Sequence, residues 1–210
     1  VRLPAGVAAR PVTDLSGGQK QRVNLARALA AEPDLILCDE VTSALDTVVG
    51  AAILDLLADL RRELNVSYMF ISHDISTVRA VCDDIMVLYA GTRVDTGSRE
   101  ALKTPPYHPY ADLLISSVPE LRIGWLDEAG ARPKAANSGV ETGQSAMSGG
   151  VLCPFLNRCS LRVEGVCDRL APPRRQLDSG KEILCHLTGE QLVQSQSHSP
   201  AIQAAAEARV

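Results

Sequence analysis

Aromatic residues are only 3% of the 210 positions, and the charge balance is mildly acidic, a net −4 at pH 7. A nucleic-acid surface needs a basic footprint or stacking rings, so nucleic acid is not an expected partner. No apolar run approaches the ~20 residues that cross a bilayer. The N-terminus has no basic stretch leading into an apolar segment, so no secretory signal is visible. It also lacks an initiating Met, which fits a chain that begins within a longer protein. Nowhere does a Gly-x-x-x-x-Gly-Lys-Ser/Thr phosphate cradle occur. What remains has a hydrophobic fraction of 46%, enough to fill a core, and a length compatible with one or two domains.

The periodicity suggests alternating helices and strands. Lys20 to Ala31 is rich in strong helix formers and closes at Pro33. Leu35 to Cys38 is continuously apolar, as for a strand buried on both faces. Thr47 to Leu64 places Val49, Ile53, Leu56, Leu57, Leu60 and Leu64 at helical spacing. Val66 to Ile71 and Ile85 to Tyr89 read as strands, with a short helix from Ile75 to Cys82 between them. Such alternation argues for a parallel sheet with helices packed on it. Ala90 to Gly97 reads as a hairpin-like turn leading to a short helix from Ser98. A second helix, Ala111 to Ser117, follows Pro109. Residues 127–150, rich in Gly, Ala and Ser, read as a linker. The Gln- and Ser-rich tail from Gly189 reads as disordered or weakly helical.

Four short motifs carry chemistry. Ser16-Gly17-Gly18-Gln19 opens a helix. A glycine pair lets backbone approach a phosphate, and a helix start offers free N–H groups and a positive dipole end. Asp39 and Glu40 end an apolar strand, where open parallel sheets bind ligands. A hard carboxylate there suits Mg²⁺, and neighbouring side chains on a strand point to opposite sides, so the two can serve different partners. Ser43-Ala44-Leu45-Asp46 follows, and then His73 in Ser72-His73-Asp74, again at a strand end. There an imidazole can donate to a phosphate oxygen. Taken singly, these are solvated carboxylates, a surface histidine and a capped helix start.

In this order and spacing they resemble the second half of the ATP-hydrolysing domain of ABC transporters: signature loop, Walker B, D-loop and H-loop. The resemblance implies an α/β fold, part of a P-loop NTPase core with parallel strands and helices, followed by a small Cys-rich C-terminal segment. It implies ATP and Mg²⁺, with Asp39 serving the metal, Glu40 as the general base and His73 as its catalytic companion. Ser16, Gly17, Gly18, Gln19 and Asp46 would meet ATP across the interface with a second ATPase domain, a homo- or heterodimer. Pro105-Pro106-Tyr107-His108-Pro109-Tyr110 through Pro119-Glu120-Leu121 resembles the region after the ATPase core in importers of oligopeptides and dipeptides. This branch implies transmembrane permease partners, indirectly a solute-binding protein, and a peripheral place on the cytoplasmic face of the bacterial inner membrane. The expected division is 1–104 ATPase, 105–126 importer-type extension, 127–150 linker, 151–187 Cys-rich segment and 188–210 tail. Without a phosphate loop, the isolated chain should hydrolyse little ATP. A non-catalytic donor of the signature loop and a soluble non-transport ABC ATPase stand as alternatives.

Of six cysteines, Cys38 and Cys82 sit among apolar neighbours and read as small buried hydrophobes. Cys153, Cys159, Cys167 and Cys185 are spaced Cys-x₅-Cys-x₇-Cys-x₁₇-Cys, without the Cys-x₂-Cys knuckles of zinc ribbons. Four thiolates suit an iron–sulfur cluster or tetrahedral Zn²⁺, and free thiols of a degenerate motif are the plainer reading. The resemblance to peptide-importer ATPases implies a [4Fe–4S] cluster in some members, here structural or sensing.

Overall fold

The computed structural model describes residues 1–43, 45–118 and 151–196. The expected linker, Pro119-Glu120-Leu121 and the tail beyond Gln196 lie outside the described residues. The chain divides into two compact units, Val1–Cys82 and Asp83–Val210.

The first unit runs α1 (Gly17–Leu29), β1 (Leu35–Asp39), α2 (Thr47–Leu64), β2 (Ser67–Ile71) and α3 (Ile75–Val81). β1 and β2 pair in parallel, Leu35 opposite Ser67 through Asp39 opposite Ile71. The connection is helical because parallel neighbours cannot be joined by a tight turn. Ile53 and Leu57 of α2 pack with Ile36, Cys38 and Val66 in a core that Leu25, Leu29 and Phe70 border. Alternation along the strands sends Leu35 (52% exposed), Leu37, Met69 and Ile71 to the other face, which is uncovered. Burial on both faces is therefore not observed: among the described residues of this unit, no helix covers that second face.

The second unit contains β3 (Asp84–Tyr89), β4 (Thr92–Ser98), α4 (Pro109–Ser116), β5 (Arg174–Gln176), β6 (Glu182–Leu184) and α5 (Gly189–Gln196). Its strands form one sheet in the order β3-β4-β6-β5, with every pairing antiparallel. The expected parallel sheet thus holds for β1 and β2 only. The hairpin turn is just Ala90 and Gly91, both at positive φ (46° and 74°), as a two-residue turn between twisted strands requires. Thr92–Ser98 is a strand, and no helix starts at Ser98; a 3₁₀ turn at Ala101–Lys103 follows instead. Asp95 and Gly97 weaken the strand signal, and pairing with β3 outweighs it.

The cysteine segment contributes a strand and buried side chains to the second unit. β6 pairs with β4, and Phe155, Ile183, Leu184 and Leu192 are buried. Residues 189–196 are helix, one of the two readings open for the tail. Thr188 Oγ1 accepts from Gln191 N while Thr188 N donates to Gln191 Oε1, the reciprocal bonds of a capping box. Three buried side chains clamp the proline segment. Gln196 exchanges two hydrogen bonds with the backbone of Tyr107, at 2.9 and 2.8 Å. Lys181 Nζ donates to the carbonyls of Thr104 (2.6 Å) and Pro106 (2.8 Å) and lies over the Tyr107 ring. Asp95 Oδ2 accepts from His108 N at 2.7 Å. Among the described residues, no helix is long and apolar enough to cross a membrane.

Lys181 is 1% exposed, so replacing it leaves two carbonyls without their charged donor. Lys181→Met is expected to destabilise the protein by about 1–3 kcal/mol, read from the denaturant midpoint. An unchanged midpoint would show that the clamp contributes nothing.

Candidate functional site

Two adjacent strand ends build the first cluster. Because β1 and β2 are parallel and in register, the residues after them emerge side by side. Glu40 N donates to Ile71 O at 2.9 Å. Glu40 has φ 48°, uncommon for a residue with a long side chain. Its carbonyl accepts from both Ser43 N (3.1 Å) and Ser43 Oγ (2.9 Å), which holds that conformation in place. The turn brings Glu40 Oε1 to 2.8 Å from His73 Nδ1. His73 is exposed, and its pKa lies above the ordinary histidine value because of the hydrogen bond to Glu40 and then that carboxylate's charge. Asp74 caps α3 through Ser76 N and Thr77 Oγ1, and the Thr77 bond first among its causes lowers the Asp74 pKa. Asp39 is exposed at the end of β1.

The start of α1 is packed rather than loose. Ser16 Oγ accepts from Gln19 N, and Ser16 N donates to Gln19 Oε1, so these polar groups are committed to each other. A Cβ on Gly18 would fall 2.6 Å from Val49 Cγ1, and one on Gly17 would fall 3.3 Å from Leu45 Cδ2. Gly18 therefore has a packing role that the sequence did not reveal. Asp46 caps α2 by accepting from Val49 N at 2.9 Å. Gln21 Nε2 donates to Val41 O at 2.9 Å, tying α1 to the turn after β1. The expected residues thus form two groups in one unit: Glu40 with His73, and Ser16 to Gln19 against the start of α2. Ala44 lies outside the described residues.

The late cysteines form another cluster. All four line one pocket, together with His108, His186 and several leucines. Burial pushes the thiols of Cys153 and Cys159 up to about 11 and raises Cys185. Among the described residues, no three His, Cys, Asp or Glu side chains stand ready to hold a metal ion, so the expected ligand set is not preformed. His186 Nε2 donates to Leu170 O at 3.1 Å, which occupies it. His108, to which the sequence assigned no chemistry, has Nε2 3.9 Å from Cys153 Sγ. Burial lowers its pKa to about 4, so the imidazole is neutral. Its place before Pro109, at a helix N-cap, was the available signal.

A carboxylate touching an imidazole at the C-terminal ends of parallel strands can orient a water and take its proton. The family described as ABC transporter matches residues 3–43. The one described as oligopeptide/dipeptide transporter, C-terminal region, matches residues 94–167. A peptide import ATP-binding protein of Brucella abortus (strain 2308) is 40% identical over 187 residues, 89% of this chain and 53% of its own. A peptide ABC transporter ATP-binding protein of Sinorhizobium fredii is 39% identical over 182 residues, 86% of this chain and 49% of its own. The chain spans about half the length of the curated relatives it matches. A solved dimeric ATP-binding cassette with ADP and Pi overlaps in part, 37% identical over 46% of this chain and 41% of its own, with a TM-score of 0.41. The chain belongs to the ABC transporter ATP-binding proteins of the oligopeptide/dipeptide family.

Two outcomes follow from this geometry. Gly18→Ala is expected to cost about 1–3 kcal/mol of stability through overpacking, and the Gly18→Ala/Val49→Ala pair to recover most of it; equal losses in single and double variants would refute the contact. His73 should titrate by NMR above the ordinary value. Its pairing with Glu40 is complete below the unfolded-state pKa and is lost as pH rises through the folded one. Glu40→Gln should return the midpoint to the ordinary range, and a midpoint indifferent to that change would show that the two do not interact in solution.

Proposed function

We propose that the chain supplies the hydrolytic half of an ATP site in an importer of peptides or similar small solutes. The contact between Glu40 and His73 at neighbouring strand ends carries this reading. Glu40 takes the proton of the attacking water, and His73 donates to the γ-phosphate. Asp39 would hold the Mg²⁺, which when bound would supply positive charge to offset that on the phosphate oxygens. Ser16 to Gln19 and Asp46 close over the nucleotide of a facing ATPase domain, with the free N–H groups at the start of α1 toward phosphate. The phosphate cradle itself must come from outside these 210 residues. Permease subunits would convert closure and opening of the ATPase pair into transport, a separate binding protein would choose the solute, and the assembly would sit on the cytoplasmic face of the inner membrane.

The cysteine pocket is read as a soft-metal site. Its donor chemistry fits: four thiols border one pocket, and thiols suit an iron–sulfur cluster or Zn²⁺. Bound there, the metal would cross-link the segment between Cys153 and Cys185. Filling the site must expel thiol protons and draw the four sulfurs closer.

The test is Glu40→Gln in a full-length protein assembled with its permeases. Turnover should fall roughly 10²- to 10⁴-fold, while ATP-driven dimerisation persists. The isolated 210-residue chain should show negligible turnover. Unchanged turnover in Glu40→Gln would favour a signature-loop donor, and ordinary turnover by the isolated chain would overturn the need for an outside cradle.

A further inference from the structure

The Tyr107-His108-Pro109-Tyr110 segment has no part in the ATP chemistry, yet its histidine is among the best-anchored side chains in the second unit. Three constraints fix it. The backbone N–H of His108 donates to Asp95 Oδ2 at 2.7 Å. Its Nδ1 accepts from Tyr110 N at 3.1 Å. Its ring meets the edge of Phe155, with centroids 5.9 Å apart. An Nδ1 that accepts a hydrogen bond carries no proton, so the ring proton lies on Nε2. That atom faces Cys153 Sγ at 3.9 Å, in the pocket that all four cysteines line.

We infer that His108 is a positioning residue of the cysteine pocket, its Nε2–H donating to Cys153 Sγ and favouring that sulfur as a thiolate ligand. The inference rests on the soft-metal reading above. At 3.9 Å the contact is long for a neutral thiol. Hydrogen bonds shorten and strengthen when the acceptor is charged, so this one would tighten when a metal replaced the thiol proton on the sulfur and that proton left to solvent. Partners of this kind orient ligands and tune the bound metal. The anchors explain why the importer-type segment folds against the cysteine segment: the same histidine caps α4 with one nitrogen and serves the pocket with the other.

The two ring nitrogens can be separated by substitution. Asn in place of His108 keeps an acceptor near the Nδ1 position, able to cap α4, but falls short of Cys153. Gln keeps a donor near the Nε2 position. The experiment is Co²⁺ titration of the full chain under reducing conditions, following the sulfur-to-cobalt charge-transfer band against a competing chelator. Far-UV circular dichroism and melting of each variant check the fold. Wild type should show the band. His108→Asn should bind Co²⁺ weaker by roughly 10- to 100-fold at unchanged fold, and His108→Gln should recover most of the affinity. Wild-type affinity in His108→Asn, or equal losses in both variants, would overturn the role of His108 and leave the metal site standing. No charge-transfer band in wild type would remove the metal site, and the inference with it.

Discussion

The parallel pairing of β1 with β2 is the constraint on which the first unit depends. Ile36, Cys38 and Val66 gain burial only because α2 crosses over that pair and sets Ile53 and Leu57 against it. The same register that buries them puts Asp39 beside Ile71, so the chain leaves both strands at one edge. A slip of one residue would turn the buried set outward and would also separate Glu40 from His73. Stability and chemistry are coupled here through the register. The left-handed backbone of Glu40 belongs to the same arrangement, held by its bonds to Ile71 and Ser43.

The second unit is organised by buried polar groups. Asp95, His108, Lys181 and Gln196 are nearly inaccessible, a costly placement unless each finds partners. Most of those partners are backbone groups of the Thr104–His108 stretch. Asp95 Oδ1 is buried without a hydrogen bond. Desolvation, the largest of its causes, raises the Asp95 carboxyl to about 6, against the bond from His108 N and the charge of Lys181. Charging Asp95 in the fold is therefore opposed, and its contribution is fully present below the unfolded-state value and declines as pH rises through about 6. This polar clamp carries the chain from β4 to the mouth of the cysteine pocket.

Several elements could be read from local pattern. Helix α2 runs Thr47–Leu64 as its apolar spacing indicates, because a wide amphipathic stripe dictates both its period and its buried face. Pro109 stands at the first turn of α4, where a missing N–H costs nothing. β4 reads poorly from local pattern because Asp95 and Gly97, both disfavoured in strands, interrupt it. Only the hydrogen bonds from β3 and β6 make it a strand. The tail allows two readings, disordered or weakly helical, because a Gln-rich stretch looks solvated; the burial of Leu192 and Gln196 on α5 selects the helix.

Identity and order of the reactive groups lie in the sequence: the serine–glycine start of α1, the carboxylate pair after β1, the histidine after β2 and the four late cysteines. Residue type and spacing are local properties, so local pattern was enough to find them. The contact of Glu40 with His73, the seating of Gly18 on Val49 and the second nitrogen of His108 facing Cys153 were decided by tertiary structure. Each joins residues far apart along the chain, and such distances are set by register, packing and burial, quantities that no window of sequence contains.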